Sequence, residues 1–301
     1  MAYAAPVIHY TFDVDGTNSG SLGSAKDLTI PSGFSFDNTN QLIGTRCLKA
    51  IGPNSSTDFS TWTTPDDFTI SLWGKSSAWS ATNQQLLQFD INGTLVLFGF
   101  NTKTKFIFYS DAWPSGLRLF DILNTFDNVY HHFVFKFRGH LVDFYIDNVL
   151  RFGSWDPFTH TDNISGTNTF SQQSITELNL STAYNGFFDD FRVYGYEIDT
   201  TMLDYIYKLG KNTNVASLSG ATVLNLQNAG ATISQLQTVG FTVEQLVAGG
   251  VTITDLIAVG FTVEQLVAGG VTITQLVAAG VTITQLLAAN ISIADLIAGG
   301  V

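Results

Sequence analysis

A ten-residue repeat fills the C-terminal part of this chain, from residue 221 onward, and constrains its fold more than any other feature. Eight successive units carry Leu at position six, Thr or Ser at position two, and Gly or Asn at position ten. Both Gly and Asn tolerate a positive φ angle, so position ten suits the residue that follows the end of a helix. Because a unit this short buries its apolar side chains only against its neighbours, we expect a solenoid.

Two kinds of solenoid compete for this repeat. A β-solenoid with rows of Thr would suit an ice-binding face, but Thr-x-Thr occurs in only three units, at 252–254, 272–274 and 282–284. A helix explains more positions: Thr is the N-cap, Gln or Asp at position five forms a capping box, and the apolar residues at positions one and six form a hydrophobic staple. We therefore predict an α-solenoid of stacked helices of about seven residues each.

The residues before the repeat differ from it in composition. Of the 39 aromatic residues, 37 lie before residue 211, and Lys211 is the last basic residue. Residues 221–301 hold four acidic residues and no basic one. We divide the chain into a first domain at 1–210, a linker or degenerate repeat at 211–220, and eight repeats at 221–301.

The first domain consists of short runs of β-branched and aromatic residues separated by turn residues, which is typical of an antiparallel β-sandwich. Residues 68–73 alternate apolar and polar side chains, and Trp73 is expected in the core. Asp147 and Asn148 predict the turn of a hairpin. Helical periodicity occurs only near 201–207, so the sequence predicts a mainly β fold.

Three segments resemble, in order, those of the laminin-G-like branch of the concanavalin A-like jelly rolls. Residues 68–75 resemble its F-T-hydrophobic-S-hydrophobic-W strand. Residues 129–148 resemble its W-H-H-V-A…L-Y-V-D-G hairpin, with Tyr130 and Asn148 in place of Trp and Gly, and residues 186–203 resemble its closing strand and short helix. The resemblance covers about residues 8–207 and implies a jelly roll, a fold that hosts both binding and catalysis.

The charge, the cysteine count and the apolar runs each argue against a class of partner or structural feature. The 25 acidic and 13 basic residues give a net charge of −12 with no cluster of Lys and Arg, which argues against nucleic acid. The single Cys47 excludes an intrachain disulfide and a Cys-rich zinc site. Because no apolar run approaches the ~20 residues that cross a bilayer, we expect no membrane span. The first ten residues do not resemble a secretory signal, which favours synthesis in a cytoplasm.

Catalysis and transition-metal binding are not expected. Retaining glycosidases need two carboxyl groups about 5 Å apart, and glycosidases of the jelly-roll superfamily carry them on one strand. The first domain has only Glu177 and Glu197, twenty residues apart, so a degenerate hydrolase is the weakest hypothesis. His131 and His132 are adjacent on an expected strand and therefore point to opposite faces, so they do not share a metal ion.

Calcium is the metal that the resemblance implies, because several laminin-G-like relatives hold it at the rim of a sheet. Carboxylate oxygens are the ligands that calcium prefers. Asp189 would provide one ligand, and Asp13 and Asp15 would join it if the first and last strands pair. In the alternative, Asp190 pairs with Arg192 or accepts backbone hydrogen bonds, and Asp189 faces water.

Glycan binding needs exposed aromatic rings beside acids or amides, because a sugar stacks its C–H face on the ring and hydrogen-bonds through its hydroxyl groups. Three expected loops offer this combination. They contain Trp79, Asp111 with Trp113, and Trp155 with Asp156. In the alternative, each Trp anchors its loop against the edge of the sandwich.

The repeat suggests assembly. The repeat carries few charges and its last residues, 297–301, are mainly apolar, so we expect a partner to cover this end. Similar decapeptides occur in structural proteins of large DNA viruses and in microbial surface proteins. Our first hypothesis is a non-enzymatic attachment protein of a virion, assembled in a host cytoplasm with other structural proteins or copies of itself. The alternative is a lectin or adhesin on a microbial cell surface that binds glycan.

Overall fold

The computed structural model describes residues 4–12, 19–23, 30, 34–43, 46–50, 62–76, 84–91, 94–110, 117–122, 124–155, 173–180, 186–211, 222–228, 231–238 and 240–300. The chain divides into two compact units. One is Ala5–Tyr207, and the other consists of Met1–Ala4 with Lys208–Val301.

The first unit is the predicted β-sandwich, and its described residues form two antiparallel sheets. In spatial order, the strands of the larger sheet are β12 (Val149–Trp155), β11 (Leu141–Ile146), β10 (His131–Arg138), β5 (Asp67–Lys75), β14 (Phe187–Tyr194), β3 (Cys47–Ala50) and β2 (Phe34–Asp37), with β1 (Ile8–Tyr10) also paired to β14. The strands of the smaller sheet are β4 (Trp62–Thr63), β13 (Ser174–Leu180), β6 (Gln84–Ile91), β7 (Thr94–Thr102), β8 (Lys105–Ser110) and β9 (Leu117–Asp121). This architecture confirms the predicted jelly-roll class.

The core lies between the two sheets and is built mainly from aromatic rings. On β5, Phe68, Ile70 and Leu72 face the core, as their alternation predicts. The smaller sheet contributes Phe98, whose ring centroid lies 4.6 Å from that of Phe135 on the larger sheet. Contacts of this kind from both sheets make one continuous apolar cluster.

Trp73 is buried, as expected, but on the outer face of the larger sheet. Its ring stacks on His132, with centroids 4.6 Å apart, and on Tyr207, at 5.8 Å. Tyr207 belongs to helix α1 (Thr200–Gly210), which confirms the helical periodicity near 201–207. The β-sandwich therefore has a second, smaller apolar cluster outside its main core.

The hairpin between β11 and β12 turns where the sequence predicts it. Asp147 and Asn148 have φ angles of 51° and 63°. Two consecutive positive φ angles define the type I′ turn, which matches the twist of the strands that it joins.

The second unit is the predicted run of short helices. In its described residues they are α2 (Val223–Asn228), α3 (Ile233–Thr238), α4 (Val243–Ala248), α5 (Ile253–Ala258), α6 (Val263–Ala268), α7 (Ile273–Ala278), α8 (Ile283–Ala288) and α9 (Ile293–Ala298). Each helix has six residues, one fewer than predicted, because position nine already serves as the C-cap. In α4, α6, α7 and α8 the side chains of Thr and Gln form a complete capping box.

Helices α3 to α8 each end in a Schellman motif, as the unit at 241–250 shows. Gly250 has a φ angle of 98°, and its N–H donates to the carbonyl of Val247 at 3.0 Å. The N–H of Val251 donates to the carbonyl of Leu246, also at 3.0 Å. This pair of bonds reverses the chain and leads directly into the next N-cap, so ten residues complete a unit.

Units stack on the unit two places before them. A Cβ on Gly249, at position nine, would come within 2.4 Å of the Cβ of Val223, at position three of the earlier unit. Gly269 meets Val243 in the same way. The repeats therefore alternate between two columns: the first column holds the units that start at 221, 241, 261 and 281, and the second column holds those that start at 231, 251, 271 and 291.

Candidate functional site

Of the eight residues predicted to bind glycan or calcium, the structure describes Asp189 in full and Trp155 by its backbone. Trp155 is the last residue of β12 and pairs with Val142 of β11. The other six lie outside the described residues: Trp79, Asp111, Trp113, Asp156, Asp13 and Asp15.

Two strand ends that precede predicted glycan-binding residues lie at the same end of the sandwich. The register of the smaller sheet places Ser110, the last residue of β8, at the same end as Thr63. The register of the larger sheet places Trp155 at the same end as Asp67. Thr63 and Asp67 are four residues apart and so at most about 14 Å apart. Ser110 and Trp155 therefore share one end of the sandwich, which we call the Trp155 end.

Strand β9, which follows the loop after Ser110, faces β12 across the core. Phe120 of β9 stacks on Phe152 of β12, with ring centroids 4.1 Å apart. The β8–β9 connection, which contains Asp111 and Trp113, and the chain that follows Trp155 are thus joined to facing strands. The strand that precedes Trp79 in the chain, β5, ends at the opposite end of the sandwich.

Asp189 does not face water. The first and last strands pair, as the calcium prediction requires, with His9 opposite Arg192. Asp189 is fully buried, however, and its Oδ2 accepts hydrogen bonds from the N–H groups of Leu42 and Ile43 at 2.8 and 3.0 Å. Within the described residues, no three His, Cys, Asp or Glu side chains form a group that could hold a metal ion. Calcium stays a prediction, because Asp13 and Asp15 lie outside them.

Asp190 forms a buried network of charged residues, which confirms its expected pairing with Arg192. Its Oδ1 accepts a hydrogen bond from Nε of Arg192 at 2.9 Å and lies 2.8 Å from Nε2 of His9, and its Oδ2 forms an ion pair with Nη2 of Arg192 at 2.8 Å. Burial raises the pKa of Asp190, but the charge of Arg192 and the hydrogen bond with His9 outweigh it and lower the pKa to about 2. This network joins β1 to β14 and has no access to ligand.

The two adjacent histidines point to opposite faces, as predicted. His132 is buried and its Nε2 lies 2.7 Å from Oγ of Ser71. His131 lies between two carboxylates, with Nδ1 2.6 Å from Asp147 and Nε2 3.0 Å from Asp127. Burial lowers the pKa of His131, but these carboxylates outweigh it and raise the pKa above its ordinary value.

The two glutamates of the first domain do not share a strand. Glu177 belongs to β13 of the smaller sheet, and Glu197 follows β14 of the larger one. The carboxylate of Glu197 lies 3.0 Å from Nζ of Lys136 and 3.6 Å from Nε of Arg138. Glu197 therefore takes part in ion pairs on the outer face of the larger sheet and is not on a strand with Glu177.

A row of two lysines and a phenylalanine crosses the outer face of the larger sheet, and the sequence did not indicate it. Lys49 of β3 pairs with Phe187 of β14, which pairs in turn with Lys75 of β5. The three residues are far apart in sequence, so only strand register brings them together. We call this set the Lys49–Phe187–Lys75 row.

Each column of the repeat array carries two acidic residues, Glu244 and Glu264 in the first and Asp255 and Asp295 in the second, but at different repeat positions. The outward residues of the first column include Glu244 and Glu264 at position four. The second column carries an uncharged face made of Thr254, Ile257, Ala258, Thr274, Val277 and Ala278, all of them exposed. Asp255 of that column lies about 200° around its helix from Ile257.

No helix among the described residues is long and apolar enough to cross a membrane.

Two family models match the chain, one in each region. Residues 52–201 match the concanavalin A-like lectin/glucanases superfamily, and residues 220–301 match a decapeptide repeat region. These matches confirm the resemblance of the first domain to the jelly rolls and the ten-residue repeat. Among curated proteins, none is significantly similar in sequence to the chain.

Solved structures share the fold of the first domain at low sequence identity. The binding domain of botulinum neurotoxin serotype D is 11% identical with a TM-score of 0.51, and the match covers 69% of this chain and 51% of the toxin chain. A botulinum neurotoxin type C structure, described by its interaction with two ganglioside molecules, is 12% identical with a TM-score of 0.51 and coverages of 70% and 52%. Domain 4 of the arabinanase AbnA from Geobacillus stearothermophilus, in complex with arabinotriose, is 16% identical with a TM-score of 0.48 and coverages of 66% and 96%. The chain spans about half the length of the two toxin chains, and the likeness to them shows the fold alone.

Proposed function

We propose that this chain, which joins a concanavalin A-like lectin/glucanase region to a decapeptide repeat region, is a non-enzymatic attachment protein. Its β-sandwich binds glycan, and its repeat array associates with other copies of the chain. The observation that carries the glycan-binding part is the Trp155 end. Two strands that lead into aromatic and acidic residues, Asp111 with Trp113 and Trp155 with Asp156, end there together.

Three further observations support binding without turnover. The superfamily match covers both strand ends at the Trp155 end. Glu177 belongs to β13 of the smaller sheet and Glu197 follows β14 of the larger one, so the two do not share a strand as the carboxyl pair of jelly-roll glycosidases does. The type C toxin, which shares the fold, interacts with gangliosides. We extend a glycan ligand from that protein to this one as part of the proposal.

Glycan-array binding of the full chain tests the first part. We expect W113A and W155A to reduce binding tenfold or more, because each removes a ring on which a sugar stacks. W79A changes the third predicted loop: parent-like binding would confine the site to the Trp155 end, and reduced binding would assign the glycan to that loop as well. W155F keeps a ring at the end of β12 and should retain part of the affinity. If the array shows no ligand, with calcium or with EDTA, glycan binding is wrong.

Self-association through the uncharged face of the second column is the other part of the proposal. At a net charge of −12, two copies repel each other over most of their surface. The uncharged face lets them approach without opposing carboxylates, and Ile257 and Val277 are 36% and 38% exposed there. The first column presents Glu244 and Glu264 instead, so a second copy would meet like charges there.

Sedimentation velocity over a range of protein concentrations tests self-association. We expect the double variant A258D/A278D to shift the chain toward the monomer, because it places four carboxylates within a two-fold interface. The matched control, A248D/A268D, changes the same repeat position in the first column and should associate like the parent protein. A chain that is monomeric throughout the range, or equal effects of the two variants, would contradict the proposal.

We place the resulting assembly in a virion. The support is the resemblance of the repeat to those of large DNA virus structural proteins. Mass spectrometry of purified particles from an infected culture should then identify peptides of this chain in stoichiometric amounts. Recovery of the chain from the envelope of a cellular microbe would favour the alternative, a surface adhesin.

A further inference from the structure

The Lys49–Phe187–Lys75 row is fixed in place by backbone pairing. Leu48 and Phe188 face the main core, so their neighbours Lys49 and Phe187 face outward. Lys75 faces the same way, two residues after the outward-facing Trp73. Pairing of β3, β14 and β5 therefore sets the three side chains side by side, at the spacing of adjacent strands.

Both ammonium groups lie close to the aromatic ring between them. Nζ of Lys75 is 5.5 Å from the ring centroid of Phe187, and Nζ of Lys49 is 5.7 Å from it. The two cations are therefore at most about 11 Å apart, and each gains from the negative face of the ring. Lys75 is further held by a hydrogen bond of 3.0 Å to Oδ1 of Asn40 and lies 5.7 Å from the ring of Tyr130.

Neither ammonium of the row has an acidic partner in the described part of the chain, where no carboxylate lies within 4.0 Å of Nζ of Lys49 or Lys75. Lys105 and Lys136, by contrast, lie 2.8 and 3.0 Å from Asp121 and Glu197. Two unneutralised cations beside one ring are unusual on a chain that has 25 acidic residues and 13 basic ones.

Two acids close to the row, Asp37 and Asp189, already accept hydrogen bonds from backbone N–H groups. Oδ1 of Asp37 accepts hydrogen bonds from the N–H groups of Thr39 and Asn40, at 2.9 and 2.8 Å. Asp189 is buried and accepts from the backbone of residues 42 and 43. Their charges are balanced locally by N–H dipoles, so the row keeps its attraction for an external anion.

We infer that the Lys49–Phe187–Lys75 row binds the anionic group of an acidic saccharide. The carboxylate or sulfate lies between the two ammonium groups, and the sugar packs on the ring of Phe187. This inference rests on the proposed glycan-binding function and specifies a ligand class at a second site. The two sites are separate, because Lys75 ends β5 at the end of the sandwich opposite Trp155.

Calorimetric titration of the full chain tests the inference with three probes. They are 3′-sialyllactose as the carboxylate, a heparin-derived tetrasaccharide as the sulfate, and lactose as the neutral reference. We expect an acidic probe to bind at least tenfold more tightly than lactose, with affinity that falls as NaCl is raised. Whichever acidic probe binds identifies the anionic group.

Matched variants then assign the site. K49Q/K75Q should reduce acidic-probe affinity at least tenfold, F187A should reduce it less, and K49R/K75R should retain it. The control K103Q/K211Q removes the same charge elsewhere and should bind like the parent protein. Thermal melts of each variant exclude unfolding as the cause of lost binding.

The outcomes separate this inference from the proposed function. Equal affinity for acidic and neutral probes, or full affinity in K49Q/K75Q, would overturn the row as a site while leaving glycan binding at the Trp155 end intact. Acidic-probe binding that is lost in K49Q/K75Q but unchanged in W113A and W155A would support the row as a site separate from the Trp155 end, which the glycan array tests by itself. If none of the three probes binds, the inference is wrong.

Discussion

The contacts that stabilise the sandwich and those that stabilise the repeat array join residues at very different separations along the chain. In the sandwich, β1 pairs with β14, and the hydrogen bond between His9 and Asp190 joins residues 181 positions apart. In the array, capping bonds span three residues, and stacking contacts join each unit to the unit two places before it. The sandwich therefore depends on all its strands at once, whereas each repeat depends on local bonds and a few neighbours.

The two regions also bury different groups. The sandwich buries stacked aromatic rings and a charged network, and the array buries the Leu at position six of each unit together with most of its apolar residues at position one. Every Trp and Tyr lies before residue 211. Fluorescence therefore reports on the sandwich alone, while hydrogen exchange resolves individual repeats, and the two methods together separate the effects of a substitution.

The largest effect is expected from R192M in the sandwich. The change leaves Asp190 as a buried carboxylate without its main cationic partner, which typically costs about 3–5 kcal/mol. Urea unfolding followed by Trp fluorescence measures the loss. The double variant D190N/R192M removes both charges and should recover much of it. A loss below about 1 kcal/mol in R192M would show that the network is not what joins β1 to β14.

The next effect is expected from G269V in the array. Its Cβ would come within 2.4 Å of the Cβ of Val243, so the stacked units must separate, at a cost of about 3 kcal/mol. The adjacent Gly270 has a φ of 86° and open space around it, so G270N should cost little, as Asn290 shows at the same position. Hydrogen exchange should increase near residues 243 and 269 in G269V, with unchanged Trp fluorescence. Equal effects of the two variants would contradict stacking between alternate units.

Local interactions explain how far the sequence could predict this structure. The Thr cap, the Gln of the capping box and the Gly after each helix act within ten residues, so they could be predicted and are confirmed. The turn at Asp147 and Asn148 is equally local. The ten-residue repeat does not by itself predict that alternate units stack, although residues 241–250 and 261–270 are identical at a spacing of twenty.

Interactions between distant strands explain what the sequence could not predict. Asp190 and Arg192 are two residues apart, so their pairing could be foreseen, but the third member, His9, comes from β1. Asp189 was expected to face water or calcium, yet the N–H groups of residues 42 and 43 cover it. The Lys49–Phe187–Lys75 row needs three strands in register, and no spacing in the sequence encodes that register.

Acid should destabilise the sandwich before it destabilises the array. The pKa of Asp190 is about 2 in the folded protein, below its ordinary value of 3.8. A lowered pKa stabilises the fold above the unfolded value, and this contribution, roughly 2 kcal/mol, is lost as pH falls from about 4 to about 2. We expect fluorescence-detected stability to fall over that interval, and less steeply in D190N. If the repeat amides lose protection at a higher pH than the one at which the sandwich loses stability, this ranking is wrong.

The smallest loss of stability is expected from a substitution at the N-cap of a repeat. It also tests most directly whether each repeat is stabilised by its own bonds. Thr262 accepts a hydrogen bond from the N–H of Gln265, whose side chain accepts one from the N–H of Thr262 at 2.9 Å. T262A removes the first bond and should cost about 1 kcal/mol, because the freed N–H is exposed to water. Hydrogen exchange should show faster exchange at residues 263–265.

The matched variant is T242A, in a unit of identical sequence with the same capping box. If each repeat is stabilised by its own bonds, the two substitutions should accelerate exchange equally, each within its own unit. If a single cap substitution speeds exchange throughout the array, the columns unfold together, and the array is as cooperative as the sandwich. Identical ten-residue sequences at two places in one stack thus separate local stability from position, which the sandwich, with no repeated segment, does not allow.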